Sequence, residues 1–542
     1  MRHGGTRTAL KLTALVALTI AAVLWPRPGP ADASGAVAVA AGGVNTCVLS
    51  ADGGVKCWGE NTVGQVGDGT VSPGRLTPVD VVGLESEVTA VTTTSRSCAL
   101  TTDGALKCWG DNGYGQLGDG TTTNRSTPVD VCQDYDDDAQ KCRDQLTDVA
   151  SIAVGSSLHT CALTSSGGVK CWGRNEWGQL GDGTLGDGDP VTLDNIRTTP
   201  VDVCQDYDEV AGECTELLSG VAAVATGGNY TCAVMADSTA RCWGSNVAGQ
   251  LGDGAGGGNL LDPSVHPTPV DVCQEYDEAA QRCTELLTGV VAIAPASLHT
   301  CALATAGGIK CWGGSFRGRL GDGLVCGAEL PFHCLTPVDV VGLESGATAV
   351  TTGGSYTCAL TTAGGVKCWE DNLSPGQIGD GGRCGLVCPT PVDVCADAAC
   401  TGALSEVAGI AAGSRHTCAL TTAGGVKCWG WNNFGQLGDG TRTDRNTPVN
   451  VVGLEPKPTP MPTATQTPAA PAGSPTAIVA TPSPPAVSPT ELISVVLPVI
   501  LPQTGTAGPS GGGAPPWVAA VAAGAVALGA AAWYARRCFS RG

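Results

Sequence analysis

Short apolar runs alternate with turns along most of the chain. His159-Thr160-Cys161-Ala162-Leu163-Thr164 alternates in polarity, breaks at Ser165-Ser166-Gly167, and resumes at Val169-Lys170-Cys171-Trp172. A period of two interrupted by a three-residue, glycine-containing break predicts a β-hairpin. Pairing Thr164 with Gly168 sets Leu163 opposite Val169 and Cys161 opposite Cys171 on one sheet face, which leaves Ala162 and Trp172 on the other. A TPVDV string and a VAxVA-type string supply two more strands. Both faces then carry apolar or small side chains, as a small sheet requires when other sheets cover it on each side.

The unit recurs. The hairpin at Cys161 has counterparts at Cys47, Cys98, Cys232, Cys301, Cys358 and Cys418, each followed by a version of GxNxxGQLGDG. Residues 36–455 hold seven copies, a mean period of 60 residues, and the extra length of the longer copies falls between GDG and the next apolar strand. Seven four-stranded sheets set radially give an all-β fold, a seven-bladed β-propeller. The first copy opens on its VAVAAGG strand and the last ends after Thr447-Pro448-Val449-Asn450-Val451. The two ends are therefore expected to share one blade and to pair across the seam.

The whole unit, GxHTCALTxxGGVKCWGxNxxGQLGDG followed by TPVxV, resembles the regulator-of-chromosome-condensation repeat, and seven is the number that closes that family's ring. The resemblance implies a rigid scaffold that binds partners. Of the roles found in that family, nuclear nucleotide exchange fits poorly with export and acidity. Ultraviolet sensing needs clustered surface tryptophans and arginines, which the sequence does not show.

The ends give the chain an address. Arg2, Arg7 and Lys11 precede the apolar run Leu12 to Trp25, and Ala31-Asp32-Ala33 offers a cleavage site. Residues 1–33 read as a signal peptide, with an uncleaved anchor as the alternative. At the other end Leu501-Pro502-Gln503-Thr504-Gly505 precedes an apolar segment, 517–535, and a basic tail, 536–542, with Arg536, Arg537 and Arg541. This order resembles the cell-wall sorting signal cut by a sortase-type transpeptidase; a retained transmembrane helix is the alternative. Residues 456–500 are rich in Pro, Thr and Ala with almost no charge, and read as a disordered stalk. The expected location is the cell surface, with the membrane reached only through the C-terminal segment.

Composition agrees with export. The 542 residues include 27 Cys, 50 acidic and 29 basic residues. Removing both ends as proposed leaves 22 basic against 49 acidic residues, which disfavours a nucleic-acid partner. The cysteines fall into thirteen local pairs. Seven lie in the hairpins: Cys47–Cys57, Cys98–Cys108, Cys161–Cys171, Cys232–Cys242, Cys301–Cys311, Cys358–Cys368 and Cys418–Cys428. Six lie in the inserts: Cys132–Cys142, Cys204–Cys214, Cys273–Cys283, Cys326–Cys334, Cys384–Cys388 and Cys395–Cys400. Cys538 alone is left over. A spacing of ten is wrong for a zinc knuckle, so disulfides in an oxidising compartment are expected and no metal or other cofactor is.

Catalytic chemistry finds little support. His159, His299 and His416 share one repeat slot, occupied elsewhere by Asn45, Arg96, Tyr230 and Tyr356. Slots dispersed round a ring cannot converge, so the histidines read as structural groups bonded to a neighbouring turn. The GDG aspartates (Asp68, Asp119, Asp182, Asp253, Asp322, Asp380, Asp439) lack the alternating ligands of a calcium loop and read as turn residues. Asp134 to Asp138 has Ala139 where such a loop needs glycine, and reads as a solvated loop. Candidate ligand-binding side chains are the loop aromatics Tyr114, Trp177, Phe316, Trp431 and Phe434. Three similar acidic inserts add Tyr135, Tyr207 and Tyr276, an expected crescent for a basic partner. The function that follows is a non-enzymatic surface scaffold for a protein or polysaccharide. A structural surface-layer component is the alternative, and a secreted enzyme inhibitor or a hydrolase fits less well.

Overall fold

The computed structural model describes residues 35–155, 158–185, 196–256, 265–323, 333–371, 376–385 and 387–455. The signal segment 1–33, the linker 456–500, the LPQTG motif, the apolar segment 517–535, the basic tail and Cys326 all lie outside them.

Among the described residues there are seven four-stranded antiparallel sheets, each built from four consecutive strands. We call the strands a to d in each blade. In blade 1 they are Ala36–Ala41, Asn45–Ser50, Val55–Asn61 and Ser72–Asp80. In blade 3 they are Val149–Val154, His159–Thr164, Val169–Arg174 and Ile196–Asp202. In blade 7 they are Val407–Ala412, His416–Thr421, Val426–Gly430 and Arg445–Asn450. The a strands of successive blades touch one another all the way round, and that of blade 7 touches that of blade 1, so a lies at the axis and the ring closes. The d strands form the rim. Each carries the proline of its TPV string (Pro200 in blade 3), a residue without an N–H that discourages pairing at an open edge.

The seam departs from expectation. Blade 1 and blade 7 are each complete, and no strand crosses between them. Lateral contacts close the ring instead. Ala36 N donates to Gly424 O at 3.0 Å, Ser414 N to Gly42 O at 3.0 Å, and Trp58 Nε1 to Gln436 O at 2.9 Å. One apolar cluster holds Val39, Val48 and Trp58 of blade 1 together with Cys418, Leu420 and Val426 of blade 7. A shared blade is unnecessary because the same a-strand and tryptophan bonds join every other pair of blades.

The hairpin register follows the pattern. Cys161 faces Cys171 and Leu163 faces Val169, and Gly167 turns the hairpin at φ +84°, a conformation glycine adopts without strain. Cys161, Leu163, Val169 and Cys171 pack against Ala233 and Trp243 of the next blade, while Ala162 and Trp172 pack against the preceding one. Each disulfide face thus meets a neighbouring indole. Burying one such ring contributes several kcal/mol, roughly 5 at the upper bound for ~200 Å². The ring nitrogen is also satisfied: Trp172 Nε1 donates to Gln116 O and Trp243 Nε1 to Gln179 O, both at 3.1 Å, so the glutamine of each GQLG turn anchors the following blade.

Twelve of the thirteen expected disulfides close among the described residues. The hairpin pairs join directly opposed residues, with Cα atoms 4.1 Å apart at Cys161–Cys171. Cys334 is also disulfide-bonded. So many bridges mark an oxidising, extracytoplasmic setting.

Candidate functional site

Strand order gives the ring two chemically different faces. The a–b turns and the c–d loops open on one, here called upper; the b–c turns and the d–a connections open on the other, here called lower. Gly35 enters and Glu455 leaves at the lower face, so the upper face is clear of both ends of the described chain.

The described turns of the c–d loops are braced by their own polar groups. In blade 3, Asn175 Oδ1 accepts from Leu180 N at 3.0 Å, and its Nδ2 donates to Asp182 Oδ1 at 3.0 Å. Asp182 Oδ1 also accepts from Thr184 N at 3.0 Å, and Asp182 Oδ2 faces Arg197 at 3.1 Å. Arg75, Arg125 and Arg445 do the same for Asp68, Asp119 and Asp439. Burial alone would raise the pKa of Asp439, but hydrogen bonds from Thr441 and Arg445 outweigh it and hold the carboxyl below its ordinary value. These carboxylates are turn hubs facing arginine.

On this frame stand the expected aromatics. Tyr114, Trp177, Trp431 and Phe434 are half-buried in upper loops of blades 2, 3 and 7, and Phe316 begins a short 3-10 turn in blade 5 with 49% of its surface exposed. Three of these rings carry a guanidinium. Arg174 lies over Tyr114 at 5.2 Å, Arg317 over Phe316 at 5.1 Å, and Arg415 over Trp431 at 5.6 Å. Trp431 also meets Phe434 edge-on at 5.5 Å. The arginines were not among the expected residues. One was within reach of pattern reasoning: the pairing of His416 with Gly430 brings Arg415 opposite Trp431, and Trp431 N donates to Arg415 O at 2.9 Å. Arg174 reaches Tyr114 across a blade boundary, which no local pattern reveals.

The acidic inserts fold as disulfide-clamped hairpins, Cys132–Gln145, Cys204–Leu217 and Cys273–Leu286, after blades 2, 3 and 4. They hold fourteen acidic and three basic residues. Each leaves the lower end of a d strand and packs along the rim of the following blade. Tyr135, Tyr207 and Tyr276 are half-buried and lie flat on the last glycine of the GDG turn; a Cβ on Gly120, Gly183 or Gly254 would come within 2.1, 2.0 or 2.1 Å of the ring. At Gly381 the Cys395–Cys400 bridge fills the same place. The tyrosines therefore dock their inserts, and the outward surface is carboxylate. In the first insert Arg143 sits 2.9 Å from Asp136, where a calcium reading would put the ion.

The repeat-slot residues form an inter-blade belt. His159, His299 and His416 are fully buried, and each Nε2 lies 2.9 Å from the threonine hydroxyl of the next blade, Thr231, Thr357 and Thr46. Thr46 Oγ1 donates to Gln436 O, so His416 Nε2 is the donor to it, while its Nδ1 has no partner to support a second proton. Burial pushes the pKa of His159 and of His416 down to about 3, and that of His299 well below its ordinary value. Tyr230 and Tyr356 make the same bridge through their hydroxyls, to Thr300 at 2.9 Å and Thr417 at 2.8 Å. Arg96 spans to Thr160 at 2.9 Å and to His159 O, with its second terminal nitrogen unpartnered and its pKa lowered to about 9 by burial. The histidines are blade-to-blade ties, dispersed round the ring.

Asp380, Cys384 and Cys388 come together closely enough to hold a metal ion, but the two sulfurs are bonded to each other and are not free as thiolates. A cleft of about 110 Å³ beside the third insert, lined by Glu285, Leu286, Leu287, Val290, Ala302 and Lys310, has room for little more than one small side chain.

The architecture is that of a seven-bladed propeller, and its repeating unit is similar to the RCC1 repeat. A model of the Regulator of chromosome condensation (RCC1) repeat matches residues 36–65, 94–116, 149–179, 221–250 and 407–436, and a second model of that repeat matches 423–461. The chain is 27% identical over 423 residues to the ultraviolet-B receptor UVR8 of Arabidopsis thaliana, covering 77% of this chain and 82% of that protein. It is 27% identical over 417 residues to the E3 ubiquitin-protein ligase HERC2 of Homo sapiens, covering 76% of this chain but only 7% of that protein's length. The crystal structure of human WBSCR16 superposes with a TM-score of 0.55 at 21% identity, covering 73% of this chain and 93% of that one. Yeast RCC1 (Prp20) superposes at 0.54 and 17% identity, covering 76% and 85%. These two likenesses are of fold.

Proposed function

We propose that this protein is a non-enzymatic, protein-binding propeller displayed on the outside of the cell. The observation that carries the reading is the upper face: five loop aromatics, three of them stacked with arginine, on turns braced by buried hydrogen bonds, with Gly35 and Glu455 at the opposite face. Trp, Tyr and Arg supply most of the energy at protein interfaces, and rigid loops lose little entropy on binding. The twelve disulfides among the described residues agree with an oxidising exterior. The order of LPQTG, apolar segment and arginines supports covalent attachment by a sortase-type transpeptidase, through Thr504, with the Pro/Thr-rich linker as a stalk. A polysaccharide partner has no feature on this face that favours it over protein.

Two measurements test this. Cross-linking capture on whole cells should yield a saturable partner that is lost when Trp177 and Trp431 are changed to alanine, and kept when the insert carboxylates are neutralised. Absence of any saturable partner would favour the purely structural alternative. Thr504→Ala should move the protein from the wall fraction to the membrane or medium; an unchanged wall fraction would remove the sortase step.

A further inference from the structure

The upper surface of blade 7 carries two arginines with no carboxylate partner among the described residues. Arg415 is exposed in the a–b turn with its guanidinium over the Trp431 ring, and Phe434 supports that ring from the side. Arg442, also exposed, reaches back from the c–d loop, its Nη1 donating to Asn433 O at 3.3 Å. Among the described residues no carboxylate lies within ion-pair distance of Arg415 or Arg442. Elsewhere Arg75, Arg125, Arg174, Arg197, Arg241 and Arg445 each face one. The nearest acidic residue in sequence, Asp444, is occupied by the turn, accepting from Asn432 N at 2.7 Å. One guanidinium thus lies on the Trp431 ring and a second on the backbone between Trp431 and Phe434, neither with a carboxylate partner among the described residues, in a chain whose formal charge is −21.

We infer that this surface is the recognition site for an acidic peptide segment of a partner protein. The inference rests on the protein-binding reading above and adds the chemistry of the partner. Trp431 and Phe434 form the apolar platform, and Arg415 and Arg442 take carboxylates. Arg415 is already ordered on the indole, so a carboxylate meets a preorganised planar donor and little side-chain entropy is lost. A basic segment would leave both guanidiniums facing like charge, which an interface does not tolerate. The acidic inserts do not compete for this site within one molecule, because they pack on the rims of blades 3, 4 and 5.

The probe is a displayed library of random dodecapeptides selected on the intact exported protein, with selected peptides then measured on variants. Peptides enriched in Asp and Glu should emerge, bind R415E/R442E at least about tenfold more weakly, and keep part of their affinity on R415K/R442K. The charge-reversed peptides should prefer R415E/R442E. Since both arginines are exposed, folding of the variants is checked by circular dichroism and by the absence of free thiols. Peptides that are neutral or basic, or acidic peptides indifferent to R415E/R442E, overturn the site. If such peptides are lost on Trp177→Ala, the protein-binding reading survives without it. No enrichment on any form overturns both.

Discussion

Acid should weaken the tie between the last blade and the first, and one substitution should remove that weakness. His416 lies at the seam, fully buried, with Nε2 on Thr46 of blade 1 and Nδ1 without a partner. Its folded pKa is depressed to about 3 from an ordinary 6.5. Below 6.5 the unfolded chain gains a proton that the folded ring refuses, so the stability contribution is intact above that pH and is lost as pH falls towards 3. Going from about pH 7.5 to about pH 5 the linkage amounts to about 2 kcal/mol for this one residue. The repeat supplies the control. Blade 6 has Tyr356 in the same slot, with Gly353 against its ring as Gly413 lies against His416, and with Thr417 as its target. His416→Tyr should therefore keep the bridge to Thr46 and lose the proton linkage. Urea unfolding of the disulfide-intact protein at both pH values provides the assay. The variant should lose about 2 kcal/mol less than the parent between the two pH values. Carboxylates contribute little in this window because they titrate lower. An equal loss in both proteins would mean that His416 is hydrated or protonated in the fold, and the belt argument would fail.

Other outcomes follow from the same contacts. Arg96→Met should stabilise the ring by about 1–3 kcal/mol, since it removes a buried unpaired charge. Its former acceptors stay occupied, because Thr160 still donates to Gln116 O and His159 O still accepts from Gly155 N; a lower urea midpoint would refute this. Replacing Cys161 and Cys171 by alanine should cost about 1–3 kcal/mol, less than the full loop-closure value because the hairpin already restrains its ends. Replacing Cys204 and Cys214 should leave the unfolding midpoint unchanged and instead open the second insert to proteolysis. Gly183→Ala should lower the midpoint more than Gly212→Ala. Both sites have positive φ, +81° and +70°, but only Gly183 would drive a Cβ into a ring, that of Tyr207.

The parts readable in the chain were those within one repeat. The register of Cys161 with Cys171 follows from alternation and a three-residue turn, and the local pairing of cysteines follows from that register. The structural role of the histidines was legible as dispersion round a ring, yet their partner was not. Thr46 lies 370 residues from His416, and only the closed ring makes them neighbours. The insert tyrosines looked like contact residues because an aromatic among carboxylates suggests exposure, whereas the glycine they lie on is a feature of the preceding turn. Of the arginine–aromatic pairs, Arg415 with Trp431 was legible from the hairpin register, whereas Arg174 with Tyr114 joins two blades and leaves no signal in either repeat.

By itself the sequence determined the number of blades, the strands in each, the bridges that clamp them, and an oxidising destination, because all of these are written in short-range periodicity and spacing. Tertiary structure alone decided how the ring closes, which face carries the aromatics, and what sits opposite the acidic inserts. Those depend on how one wedge lies against the next, and that angle is set by side chains some fifty residues or more apart, which no window along the chain contains together.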